Sequence, residues 1–407
     1  MNVVFVEPFF PSTQRNFVRG LAEVGATVIG IGEYPTDALD EQLKSWMTHY
    51  HHVPSVVDVG AMTDAVRWIQ DKLWVDRLEA TIESHTLTAA KVRENCTIPG
   101  TSVRTAWLCR DKPSMKEALR AAGVPTAASR AAQNADEVYE FADAIGYPLI
   151  LKPRTGAGAL DTTRVDNKSE LDAALGRFGG QGVDSIAVEE FVEGHEGFYD
   201  TLCVNGNVAL DFVSHYYPNV LEAMRARWIS PQFIATNRVD SVSDYAQLRE
   251  LGARVNESLG IGTSATHMEW FFGPKGLRFS EIGCRPPGVG AWDLYSVGND
   301  LDLYREWANS IVHDHIAARP SRSHSAGIVA LRPDHDGHIT GYSGVDDVQA
   351  RSGEWVIDAH LPPPGTPTQP VEAGYMANAY VRMRHPDYDA LRGLLDDVGR
   401  TVHVYAQ

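Results

Sequence analysis

The stretch from His267 to Gly288, HMEWFFGPKGLRFSEIGCRPPG, constrains this chain more than any other. Two apolar-rich runs flank Gly273-Pro274-Lys275-Gly276, the pattern of a β-hairpin. With Pro274, Lys275 and Gly276 as the loop, Pro274 opens a type I turn and Gly276 takes the left-handed position. That register puts Phe271 opposite Phe279 and Glu269 opposite Glu281. A loop of four residues would instead send the two glutamates to opposite faces.

Directly opposed residues have Cβ atoms roughly 4.5–5.5 Å apart. Two carboxylates at that separation repel unless a proton or a cation sits between them. Hard divalent ions such as Mg²⁺ take oxygen ligands, typically one or two carboxylates plus substrate phosphates. The pair therefore reads either as a metal clamp facing a nucleotide or as a solvated hairpin. Arg285 adds a guanidinium suited to phosphate or carboxylate oxygens.

At 407 residues the chain exceeds one ordinary core and predicts two or three domains. A formal net charge of −17 opposes binding to nucleic acid or anionic membranes. Cys96, Cys109, Cys203 and Cys284 show no metal-ligand spacing and predict reduced thiols in a cytoplasmic protein. No apolar run approaches the ~18 residues of a membrane span.

Val3–Val6, a helical spacing over Thr13–Val24 and the apolar Ala26–Gly32 predict a βαβ opening of a doubly wound parallel sheet. Leu78–Glu83 reads as a later strand, with the domain closing near Thr105. Gly30-Ile31-Gly32 follows a strand instead of joining strand to helix, so it is no dinucleotide fingerprint. His49-Tyr50-His51-His52 reads as surface or loop, because neighbours in sequence do not converge on one ion.

Asp111–Gly123 predicts an amphipathic helix carrying Lys112, and Asp136–Ile145 a second. Tyr147–Pro153 is a buried strand ending near Lys152. The Thr155–Thr163 loop, with Gly156 and Gly158, lets backbone approach phosphate oxygens. Ser185–Val192 is a strand, and Asn205-Gly206 pairs Glu196–Val204 with Asn207–Tyr217 through a type I′ turn. The segment from His215 to Pro231 reads as a surface excursion or a ligand-site wall. His215, Tyr217, Trp228 and Trp292 are candidate substrate contacts or core residues.

In this order the pieces resemble the ATP-grasp superfamily of carboxylate–amine ligases, across most of residues 1–315. The matching motifs are DKPSMKEAL from Asp111, PLILKPRTGAG from Pro148, VEEFVEGHE from Val188 and HMEW…SEIGCRPPG. EIGxRPPG is similar to the branch that joins amino acids. The implied architecture has a parallel-sheet domain (1–105), a lid (106–192), a central metal-bearing subdomain (193–315) and a C-terminal α+β module (316–407).

By the same resemblance Lys112 and Lys152 hold ATP phosphates, with the loop of Gly156 and Gly158 closing over them. Glu189 lies on the adenine side, and the backbone of Glu190 and Val192 faces the base. Glu196 takes the ribose, Glu269 and Glu281 ligate Mg²⁺ (or Mn²⁺), and Arg285 steadies the transferring phosphoryl and the substrate carboxylate. Gly288, His215 and Tyr217 are the substrate-side expectations, with solvent or His215 as base.

The implied reaction converts a carboxylate to an acyl phosphate, which an amine attacks, releasing ADP and phosphate. Small-molecule acid and amine substrates, no nucleic acid, no membrane and a homodimer through the first domain complete the expectation. Gly283 departs from the pattern, standing where many members have a metal-ligating Asn. The competing readings are a bicarbonate-using carboxylase or carbamoyl-phosphate type enzyme, and an inactive nucleotide-binding protein.

Overall fold

The computed structural model describes residues 1–154, 162–180 and 186–407. Among these residues the strands form four sheets. The first is parallel, with β1 (Asn2–Val6), β2 (Thr27–Gly32), β3 (His49–His52) and β4 (Arg77–Glu79) in the order β3-β2-β1-β4. Both its faces are covered, which is why the first strand reads as an unbroken apolar run. Val3 and Phe5 pack with Phe17 and Trp307, while Val4 and Val6 pack with Met62, Val66 and Leu78. The histidine run forms an edge strand, not a loop, and His49 and His51 lie against Trp68. The predicted strand at Leu78–Glu83 ends early, and Glu83 opens the helix Glu83–Asn95.

The helix Lys112–Ala121 begins where Asp111 accepts a hydrogen bond from the Ser114 amide at 3.1 Å. Its buried face carries Met115 and Leu119. An antiparallel sheet follows, with β5 (Ser129–Ala132), β6 (Leu149–Pro153), β7 (Thr163–Val165) and β8 (Ile186–Glu190) in the order β5-β8-β6-β7. The helices Ala135–Ile145 and Lys168–Gly180 back it through Val138, Phe141 and Leu171. Gly156 and Gly158 lie outside the described residues.

The central region contributes β9 (His195–Val204), β10 (Asn207–Tyr217), β11 (Gln232–Ala235), β12 (Ser264–Gly273) and β13 (Gly276–Gly283). The C-terminal residues add β14 (Ser325–Leu331), β15 (Ile339–Ser343), β16 (Val356–His360), β17 (Ala379–His385) and β18 (His403–Ala406). An eight-stranded sheet runs β13-β12-β9-β10-β11-β14-β17-β16, and β15 pairs with β18. Asn205 and Gly206 take the positive φ values, 50° and 83°, that a type I′ turn between β9 and β10 requires. No helix among the described residues is long and apolar enough to cross a membrane.

The pleat of the large sheet decides where the chemistry can sit, because successive side chains point to opposite faces. Phe198 is opposite Glu269 on β12 and opposite Ser214 on β10. Glu196, Phe198, Asp200, Ser214, Tyr216, His267, Glu269 and Phe271 therefore share one face. Tyr199, His215, Tyr217, Met268 and Trp270 share the other.

Candidate active site

The predicted carboxylate pair forms, by a different route. The ladder of β12 and β13 closes at Gly273↔Gly276, so Pro274 and Lys275 alone are the loop. Phe271 then faces Arg278 instead of Phe279. A register shift between Glu269 and Trp270, with Ser280 unpaired, sets Glu269 opposite Glu281 again. Gly276 keeps the left-handed backbone expected of it, at φ 73°.

Three lysines converge on this pair and on Glu189. Lys112 Nζ stands 3.4 Å from Glu281 Oε2 and Lys152 Nζ 3.9 Å from the same atom. Lys152 Nζ is also 2.9 Å from Glu189 Oε2, where Lys116 Nζ approaches to 2.6 Å. Lys116 is 1% exposed and escaped the sequence reading. Its signal was present: positions 112, 115, 116 and 119 share a helix face, so the stripe of Met115 and Leu119 also carries two lysines.

Burial alone would raise the Glu281 carboxyl, but Lys112, Lys152 and Lys116 outweigh it and bring it down to about 2. Glu189 is lowered on the same balance, by Lys116 and Lys152. Burial pushes Lys116 down to about 8 despite Glu189, whereas for Lys152 the glutamates prevail and raise it. Glu269 goes the other way, to about 8, through burial and then the charges of Glu281 and Glu196. Burial likewise raises Glu196 to about 7, although it accepts the Val220 amide at 2.6 Å.

The one basic side chain paired with Glu269 among the described residues is His267, with Nε2 3.9 Å away and Nδ1 committed to Asp200 at 2.7 Å. Two opposed carboxylates, one short of positive charge, are the donor set of an ion that completes its shell with phosphate and water. No third His, Cys, Asp or Glu joins them in a cage among the described residues. Glu269 and Glu281 thus fit Mg²⁺.

These groups line a cavity of about 590 Å³, within the size range of small-molecule sites. Ile150, Phe191, Val192, Leu221, Ile229 and Phe279 give it apolar walls, and Glu190, Thr162 and Arg164 also reach it. The Glu190 carboxylate is bound by the Ala128 amide and by Lys275, and its own amide donates to the Ala128 carbonyl at 2.9 Å. The segment after β10 is a wall of this cavity, from Asn219 to Ile229.

Three expectations are corrected by the pleat and by packing. His215 and Tyr217 lie on the far face of the sheet and not in the cavity. His215 hydrogen-bonds His195 Nε2 at 2.9 Å and the Tyr245 hydroxyl at 2.7 Å, and burial pushes it down to about 3. The Tyr217 hydroxyl meets that of Tyr388 at 2.8 Å. Gly288 is exposed beside the Ala291–Asn299 helix, outside the cavity wall. Trp292 is core, against Phe17 and Tyr304.

Arg285 also lies outside the cavity wall. Its guanidinium donates to Glu83 Oε2 at 2.9 and 2.6 Å, joining the hairpin's exit to the first domain. A Cβ at Gly283 would meet Arg285 Cγ at 3.4 Å, so Arg285 fills the space a longer side chain would take.

Residues 111–197 match the family model described as the ATP binding domain of the carbamoyl-phosphate synthase L chain. The full chain superposes on an L-amino acid ligase from Bacillus licheniformis with a TM-score of 0.78, at 18% identity, covering 100% of this chain and 98% of that one. The chain has the ATP-grasp fold. An N5-carboxyaminoimidazole ribonucleotide synthetase from Thermotoga maritima is similar at a TM-score of 0.70 and 16% identity, over 100% and 99% of the two chains.

Among sequence relatives of this ATP-grasp chain, an L-arginine-specific L-amino acid ligase of Bacillus subtilis is 26% identical over 274 residues. That match covers 66% of this chain and 65% of the relative's length. A formate-dependent phosphoribosylglycinamide formyltransferase of Parabacteroides distasonis is 27% identical over 304 residues, 73% of this chain and 72% of the relative.

Proposed function

We propose that this chain is an ATP-dependent carboxylate–amine ligase that joins two amino acids, or amino-acid-like molecules, through an acyl phosphate. The observation that carries the reading is the opposed Glu269 and Glu281 beside Lys112 and Lys152 in one cavity. The likeness to amino acid ligases ranks the substrates. Four free buried thiols are in keeping with a cytosolic setting.

Lys112 and Lys152 lie along the phosphates and offset their charge. Glu189 and Lys116 fix Lys152 from beneath. Glu196, one oxygen bound to the Val220 amide, accepts a ribose hydroxyl with the other. The backbone of Glu190 and Val192 meets the adenine edge. Mg²⁺ held by Glu269 and Glu281 would neutralise charge on the transferring phosphoryl. Arg285, positioned by Glu83, serves the acid substrate, and the walls keep water from the acyl phosphate.

A bicarbonate-using reaction is the second reading, favoured by the carbamoyl-phosphate synthase match over residues 111–197. The test of both is ADP and phosphate release across pairs of amino acids, with mass analysis of products and a labelled-bicarbonate arm. Release that needs acid and amine together, and falls in Lys152→Ala and Glu281→Ala, supports the ligase. Turnover untouched by both substitutions contradicts the site.

A further inference from the structure

The segment between β10 and β11 carries one more feature. Its backbone is clamped from below: Arg332 donates to the Ala223 carbonyl at 2.5 Å and the Ala226 carbonyl at 3.1 Å. Arg227 is tied to Asp336 at 2.7 Å and to the Pro333 carbonyl at 3.3 Å. Ala223 and Ala226 are buried beneath. Arg225 and Trp228, three residues apart in the turns after the helix Val220–Ala223, are left lining the cavity. A clamped backbone presenting two side chains to a cavity is a preorganised contact surface.

Both side chains lack what their chemistry asks for. Every other cation of the cavity has a carboxylate: Lys112 has Glu281, Lys116 and Lys152 have Glu189, and Arg164 has Asp166. Among the described residues the Arg225 side chain donates to the Thr162 carbonyl at 3.1 Å and forms no ion pair. Burial, and then the charges of Arg164 and Arg177, lower its pKa. Trp228 is 87% exposed and packs on no other ring among the described residues. An indole left bare at a cavity mouth loses apolar contact that a ligand would restore.

We infer that Arg225 and Trp228 form a mouth-side subsite for the unreacting carboxylate and the side chain of one amino-acid substrate, distinct from the phosphate site of Lys112 and Lys152. A guanidinium offers two parallel donors to a carboxylate, and the indole face covers apolar carbons beside it. This rests on the ligase reading and names which residues select its substrate. A nucleotide phosphate has the same anion chemistry, so the test separates the two sources.

The experiment labels the full chain with 5-fluorotryptophan and follows the Trp228 ¹⁹F line, assigned by its loss in Trp228→Phe. Each of the proteinogenic L-amino acids, and the amide of any that binds, is titrated with MgADP present. At least one amino acid should shift that line, with a dissociation constant raised about tenfold in Arg225→Gln and partly restored in Arg225→Lys. Its amide should bind both proteins alike, and MgADP affinity should change less than twofold. An unshifted Trp228 line for every amino acid overturns the inference. So does a loss of MgADP affinity in Arg225→Gln, which would assign the guanidinium to the nucleotide. Amino acids that bind at Trp228 without acid- and amine-dependent ADP release would leave the subsite standing and remove the ligase reading instead.

Discussion

His215 was a candidate base in the sequence and is a half-buried imidazole on the far face of the sheet, which makes acid sensitivity calculable. Burial holds its pKa at about 3, against about 6.5 when unfolded. As pH falls below 6.5 the unfolded chain takes up a proton that the folded chain refuses. Stability is therefore present above 6.5 and lost as pH falls, with a limiting slope near 1.4 kcal/mol per pH unit. Between pH 7 and pH 5 this one group costs about 2 kcal/mol. His195, lowered by burial and Arg392, adds in the same direction. Urea denaturation with and without His215→Gln at both pH values, in a His195→Gln background because the two rings share a hydrogen bond, measures the difference. The variant should lose about 2 kcal/mol less on acidification, with ADP release at pH 7.5 retained. Parallel losses would refute the burial argument. A folded variant without ADP release would put His215 back on the reactive side.

Lys116→Met leaves Glu189 with Lys152 as its single cation. Removing one partner of a buried pair costs about 3 kcal/mol, the low end of the usual range because Lys152 stays. Urea denaturation should show that loss and calorimetry at least a tenfold weaker MgADP affinity; unchanged affinity would deny that the pair fixes Lys152. Glu83→Gln frees Arg285 and should reduce kcat/KM for the acid substrate about tenfold, with MgADP affinity unchanged. Parallel loss of nucleotide affinity would show that Arg285 acts on ATP. Glu269→Gln removes one of the two opposed carboxylates. It should abolish turnover while far-ultraviolet circular dichroism stays native, and retained activity would show that the opposed glutamates are dispensable.

The carboxylate pair was legible because hairpin pairing is local, yet its register came out right through two offsetting departures. The loop is one residue shorter than expected, and Ser280 is left unpaired. Lys112 and Lys152 were legible from strand and helix ends, whereas Lys116 was hidden by the habit of reading helix-face lysines as solvated. His215 and Tyr217 failed on parity: the face that receives ligand is set by β9 and β12, and Glu269 on β12 stands more than fifty positions from either. Glu83 could not be found as the partner of Arg285, since the contact spans about two hundred positions and two sheets. The C-terminal strands continue the central sheet through β14, and nothing in their own sequence states which edge they join.

The proposed function requires Glu269 and Glu281 to hold a divalent ion against a nucleotide. A crystal structure with ADP and Mg²⁺ measures it directly. Carboxylate oxygens of both residues should lie about 2.0–2.1 Å from a shared ion or ions, with Lys112 and Lys152 on the diphosphate. An ADP bound in the cavity with neither glutamate at the metal would contradict it.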